Sequence, residues 1–199
     1  LSEWGKTQMD NEDKNWLRLI QNFHDSFPTG YQKRGKGNWK NVQTALCSLR
    51  QLGGIEENPA KLNLNQRHLK ALTNIFLSNA HFYQDVQDPK AEKLLLEALE
   101  IFKAAKDDWN FTWTLFHLAN LYIEWQNYDQ AFSLCQTALA RTLEPVPHER
   151  DYEILANLHR VVADIQGKQG NGPVSLRNHA RAVCSAYLYH GIPSPPDLY

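Results

Sequence analysis

Hydrophobic positions recur along this chain with the period of a helix. Trp16, Leu17, Ile20 and Phe23 share one face of a first predicted helix that stops before Pro28. Asn38 reads as the cap of a second helix, with Val42, Ala45, Leu46 and Leu49 on one side and Gly53-Gly54 as its stop. A third is predicted from about Asn65 to Asp85. Asp88-Pro89 then places a cap and a first-turn proline ahead of a fourth, which carries Ala91, Leu94, Leu95, Ala98, Leu99 and Phe102. The fifth runs from Asp108 to about Trp125. Asn127, with Gln130 three residues on, has capping-box spacing for the sixth. Pro145 and Pro147 separate a seventh, about Glu149 to Gln166, and an eighth follows Pro173 and ends near His190. No segment alternates as a strand does. The pattern therefore predicts an all-α fold of eight helices in four antiparallel pairs.

Glycine placement supports this. None occurs between Ile55 and Gln166, a stretch poorly suited to tight hairpins or Gly-rich phosphate loops. The 199 residues, 42% hydrophobic and 22% charged, suit an ordinary globular chain with a substantial core. A formal net charge of -1 gives no general attraction for nucleic acid or membranes, and no apolar run reaches membrane-spanning length. Cys47, Cys135 and Cys184 are dispersed and odd in number, as expected of reduced thiols in a cytoplasmic protein. The N-terminal segment lacks the apolar core of a signal peptide. A chain that starts at Leu1 is expected to be a fragment or processed product.

Three segments repeat: FLSNAHFYQDVQDPKAEKLLLEAL, HLANLYIEWQNYDQAFSLCQTAL, and ILANLHRVVADI continued by SLRNHARAV. In the middle copy Leu115, Leu118, Ala119, Tyr122, Ala131 and Ala138 have the spacing of a helix-turn-helix unit, with small residues where paired helices cross. This resembles the tetratricopeptide repeat (TPR), in the long-helix form of kinesin light chains and bacterial signalling ATPases. The resemblance covers 72–105, 112–141 and 149–188, with 10–54 as a divergent helix pair, 1–9 as an N-terminal tail and 191–199 as a Pro-rich C-terminal tail. It aligns Ala156 and Asn157 with Ala119 and Asn120, and needs an inserted loop in the third copy. Gln126 stands where many such repeats have Gly.

The resemblance implies a right-handed superhelix, an α-solenoid whose first helices line a concave groove. The expected function is non-catalytic: binding a peptide or protein segment in that groove as part of a larger signalling or scaffolding protein. The implied contact residues are Phe76, Tyr83, Trp113, Phe116, His117, Asn120, Asn157 and Arg160. Asn at such a place can both donate to and accept from a ligand backbone. The positions of a chaperone-binding carboxylate clamp hold Phe76 and Glu153, which argues against that ligand. A second implied reading is a regulatory or sensor domain of a STAND-type signalling ATPase.

Residues 31–70 carry eight Lys and Arg against two Glu, while 85–153 carry six against thirteen Asp and Glu. Lys33, Arg34, Lys36 and Lys40 form a candidate anion site, and the basic region as a whole a third reading, RNA or anion binding. Gly30 to Lys36 matches GxxxxGK, but Gly37 stands where a phosphate loop has Ser or Thr, and a helix precedes it rather than a strand. None of the eight histidines has metal-site spacing, and no nucleophile motif occurs. Neither metal nor cofactor is expected.

Overall fold

The computed structural model describes residues 36–55, 61–142 and 149–189. The expected first helix, both tails and the loop holding Pro145 and Pro147 lie outside them. Seven helices make up the described chain: α1 Lys36–Leu52, α2 Leu64–Gln84, α3 Pro89–Ala105, α4 Asp108–Glu124, α5 Tyr128–Thr142, α6 Glu149–Lys168 and α7 Gly172–Tyr189. The described residues contain no strand. None of these helices is long and apolar enough to cross a membrane. The chain divides into two compact units, one up to Ile101 and the other from Phe102 on, so the division falls within α3.

Helix starts follow local chemistry. At α2, Asn63 Oδ1 accepts from the Gln66 N–H while Gln66 Oε1 accepts from the Asn63 N–H, a complete capping box. At α4, Asp107 Oδ1 accepts from the Asn110 N–H. The Asn127–Gln130 spacing is used differently: the Asn127 side chain donates to the Gln130 side chain.

Four helix ends, those of α1, α3, α4 and α6, share one device. At Gly54, Lys106, Gln126 and Gly170 the backbone enters the left-handed region, with φ of 61°, 54°, 60° and 79°. Each time the next residue's N–H reaches back to a carbonyl of the last turn: Ile55 to Arg50, Asp107 to Phe102, Asn127 to Tyr122 and Asn171 to Gln166. These are Schellman caps, which satisfy carbonyls that helix termini leave open. A side chain at positive φ costs roughly 1 kcal/mol, less what glycine loses in unfolded-chain entropy. Gln126→Gly is therefore expected to raise stability by about 0.5 kcal/mol in urea denaturation, whereas Gly170→Ala lowers it.

In the first unit α1 packs on α2. Trp39, Val42, Leu46 and Leu49 of α1 meet Leu77 and Ala80 of α2, with Phe76, Tyr83 and Leu94 against their edge. Trp39 and Tyr83 stack with centroids 4.4 Å apart. A polar network joins α2 to α3. Lys70 Nζ, on a side chain with no exposed surface, lies 2.7 Å from Glu97 Oε1. Glu97 Oε2 accepts from Asn74 Nδ2 at 3.0 Å, and Asn74 Oδ1 accepts from Arg50 of α1 at 3.3 Å.

In the second unit α4 packs on α5, α5 on α6, α6 on α7, and α4 directly on α6. Small residues sit at the crossings: Ala119, Ala131, Cys135, Ala138 and Ala163 are fully buried. Burial pushes the Cys135 thiol up to about 12, so it behaves as a small apolar group. Arg141 spans α5 and α4, 2.6 Å from Asp108 and 4.5 Å above the Phe111 ring.

The two hairpins of this unit share a turn, and the turn sets their register. Trp125, Gln126 and Asn127 bond back to Leu121, Ile123 and Tyr122; Gln169, Gly170 and Asn171 bond back to Ile165, Gly167 and Gln166. The same offset pairs Ala119 with Ala163, Ala131 with Ser175 and Ala138 with Ala182. Ser175 Oγ donates to the Ala163 carbonyl at 2.8 Å, at the crossing itself. The third segment therefore has no inserted loop. Asp164, not Asn157, stands level with Asn120, and Asn157 stands level with Trp113. Ala156, taken from sequence as the crossing residue, is only half-buried.

Candidate functional site

A cleft of about 350 Å³ lies in the second unit, lined by α4, α6 and α7. Asn120, Ile123 and Glu124 come from α4; Arg160, Ala163, Asp164, Gly167 and Lys168 from α6; Ser175 and His179 from α7. Short residues leave the space. Ala163 and Gly167, one turn apart on α6, bring almost no side-chain bulk to it. Its rim carries both signs. Arg160 and Asp164 are joined at 3.3 Å and about half exposed, with side-chain exposures of 49% and 40%. Lys168 Nζ lies 5.7 Å from the centroid of Tyr128.

Of the residues named from sequence, Asn120 and Arg160 line this cleft. Asn120 Nδ2 donates to the Phe116 carbonyl at 3.0 Å, and Asn157 Nδ2 to the Glu153 carbonyl at 3.0 Å. Each bond uses one amide proton and fixes the side chain along its own helix. The second proton and Oδ1 stay available to another group. Asn157 is not part of the cleft lining, as the corrected register requires.

Next to the cleft, α4 carries a ladder of rings. Trp109 and Trp113 stack 5.8 Å apart with planes 10° from parallel. Trp113 meets Phe116 and His117, each at 5.2 Å, and Phe116 meets His117 at 5.3 Å. Phe116 is a core residue, whereas Trp109, Trp113 and His117 are half-buried. Packing among rings strips water from the His117 imidazole and pushes its pKa down to about 4. His159 shifts the same way, through burial and then the positive charge of Arg181, against a hydrogen bond from the charged ring to the Asn178 side chain that raises it.

The His117 shift has a consequence for stability. Between pH 6.5 and 4 the unfolded chain takes up a proton that the folded imidazole refuses, so stability falls with falling pH over that window. His117→Phe keeps a ring in place and removes the titration. Its loss of stability from pH 7.5 to 4.5, measured in urea, is expected to be smaller than that of the unsubstituted chain by about 1–3 kcal/mol. Equal losses would contradict a neutral, desolvated His117.

Phe76 and Tyr83 belong to the first unit. Both pack against its core, Tyr83 through its stack on Trp39. Of the candidate anion site, Lys33 and Arg34 lie outside the described residues, Lys36 begins α1, and Lys40 is exposed on it. Other cations of the basic region are engaged internally: Arg50 with Asn74, Arg67 Nε with the Leu62 carbonyl, and Lys70 with Glu97. Among the described residues no group of three His, Cys, Asp or Glu side chains is placed to hold a metal ion.

The chain gives no match to protein-family models, curated proteins or solved structures.

Asp164, Lys168 and His179 are the site residues that sequence reasoning missed. The signal was present. Ala163, Ser175 and Ala182 repeat the spacing of Ala119, Ala131 and Ala138, but the repeated LAN tripeptide of Leu118–Asn120 and Leu155–Asn157 drew the alignment a heptad too early.

Proposed function

We propose that this chain is a non-catalytic, cytoplasmic interaction module, and that its helices belong to a TPR-like superhelix. Its second unit binds an extended peptide or protein segment in the cleft between α4 and α6. One observation carries the reading: an open cleft with mixed charges and the Asn120 amide lies beside half-buried rings on the same helix. Apolar side chains of a segment would anchor on Trp113 and its neighbours, a favourable use of partly exposed aromatics. Asn120 would hydrogen-bond the segment's backbone. Arg160, Asp164, Lys168 and Glu124 would select its charged side chains, contributing to specificity and encounter rate more than to affinity.

Engagement of Arg50, Arg67 and Lys70 inside the first unit lowers the number of cations a nucleic acid could use, which favours a peptide over RNA. The test is selection from a displayed library of random peptides on the whole chain. Recovery of a family of related sequences, with micromolar or tighter affinity and competing with one another, supports the reading. Recovery of none, or of sequences that bind a chain with a blocked cleft (Gly167→Trp) equally well, counts against it.

A further inference from the structure

Three charged side chains of the cleft come from one helix at equal steps. Arg160, Asp164 and Lys168 follow one another at four-residue spacing on α6, and all three line the cleft. Side chains at i and i+4 share a helix face, and four residues of helix rise about 6 Å. The cleft wall therefore carries a row that reads positive, negative, positive over about 12 Å.

The row can take a second set of partners. Arg160 Nη1 donates to Asp164 Oδ2 at 3.3 Å, a long bond between two groups that are each about half exposed. The other guanidinium N–H groups and Asp164 Oδ1 remain available to a ligand. Lys168 is exposed, with its ammonium 5.7 Å from the centroid of the Tyr128 ring. On the facing wall the shared turn register puts Asn120 level with Asp164 and Glu124 level with Lys168.

An extended chain has a repeat that fits this row. Its alternate side chains point to one side, and two residues advance about 6.6 Å. Three alternate side chains span about 13 Å, within about 1 Å of the row on α6, a difference that flexible Arg and Lys side chains absorb. The side chains between them turn away from α6, and hydrogen-bond donors among them can meet Asn120 and Glu124. A helical ligand would match the steps of α6 as well, but a cleft of about 350 Å³ does not admit a body about 10 Å across.

We propose that the cleft selects an extended segment whose alternate residues are acidic, basic and acidic, the two carboxylates pairing with Arg160 and Lys168 and the cation with Asp164. This rests on the peptide-binding reading of the cleft and adds the chemistry of the segment it takes. The order is the same read from either end, so the segment satisfies it running in either direction along α6.

The test is selection on the whole chain from a displayed peptide library in which three alternate positions are each Glu, Lys or Ala and the rest are random. Sequences lost on Gly167→Trp form the cleft-dependent set. Within that set Glu-x-Lys-x-Glu should be enriched about tenfold over the permuted Lys-x-Glu-x-Glu, because each exposed pair made or reversed contributes about a factor of two to five. A chain carrying Arg160→Glu, Asp164→Lys and Lys168→Glu keeps opposite charges four residues apart on α6 and should prefer Lys-x-Glu-x-Lys. A cleft-dependent set with no preference of order overturns this inference and leaves the cleft as a binding site. So does a triple variant that keeps the original preference, or enrichment of the same charges four residues apart, the spacing of a helical ligand. Absence of any cleft-dependent set overturns the inference together with the reading on which it rests.

Discussion

Glu97→Ala is expected to destabilise the first unit by about 3–5 kcal/mol, the largest effect of any single side chain considered. The reason is the state of its partner. Lys70 has no exposed surface, and its ammonium lies 2.7 Å from Glu97 Oε1. A charge in that position cannot recover hydration when its carboxylate is removed. The same substitution takes away the acceptor of Asn74 Nδ2, and Asn74 in turn accepts from Arg50. Loss of one carboxylate thus disturbs contacts of α1, α2 and α3 together. The pair itself need not add net stability, because burying both ions carries its own penalty. Lys70→Met combined with Glu97→Leu should therefore recover most of the loss. Urea denaturation of the three chains measures this. A cost below about 1 kcal/mol for Glu97→Ala, or no recovery in the double variant, contradicts the account.

Asn120→Ala with Arg160→Glu is expected to weaken a library-selected peptide by more than tenfold, about 1.4 kcal/mol or more. Arg160 is half exposed and bonded at 3.3 Å to Asp164 across one helical turn, so its replacement disturbs the free chain little. Its role would appear on binding, when a ligand covers it. Charge reversal also puts a third carboxylate into the cleft, beside those of Asp164 and Glu124, and repels an acidic ligand group. Neither residue belongs to the buried core, so the urea midpoint should stay within about 0.5 kcal/mol of the unsubstituted chain. Leu176→Ser, at a position 72% exposed on α7 and outside the cleft lining, serves as the control and should leave affinity unchanged.

Most of the fold was legible because its signals are local. Pro89 opens α3, Asp107 caps α4, and Gly54 and Gly170 occupy left-handed caps. Those residues fix helix boundaries through single-residue sterics or one hydrogen bond, so spacing alone exposes them. The small residues at Ala91, Ala98, Ala119, Ala131 and Ala138 were also legible, and all are fully buried. The candidate site was less so. Register in the third segment depends on which alanine meets Ser175, a contact between helices that composition does not encode. LAN at Leu155–Asn157 copies LAN at Leu118–Asn120 by coincidence of neighbours, and the choice between Ala156 and Ala163 moved two turns of side chains. The Lys70–Glu97 pair was invisible for a related reason. A lysine in a helical pattern reads as exposed unless a carboxylate from another helix is known to meet it.

The central claim is that the α4–α6 cleft is where a segment binds. Backbone amide shifts, followed while a selected peptide is added to the whole chain, test it most directly. The account predicts the largest shifts at Asn120, Glu124, Arg160, Asp164 and Lys168, with smaller ones through the Trp113 ring ladder. Shifts centred on α5 or on the exposed side of α7 around Leu176 and Val183, with the cleft amides unmoved, would contradict it.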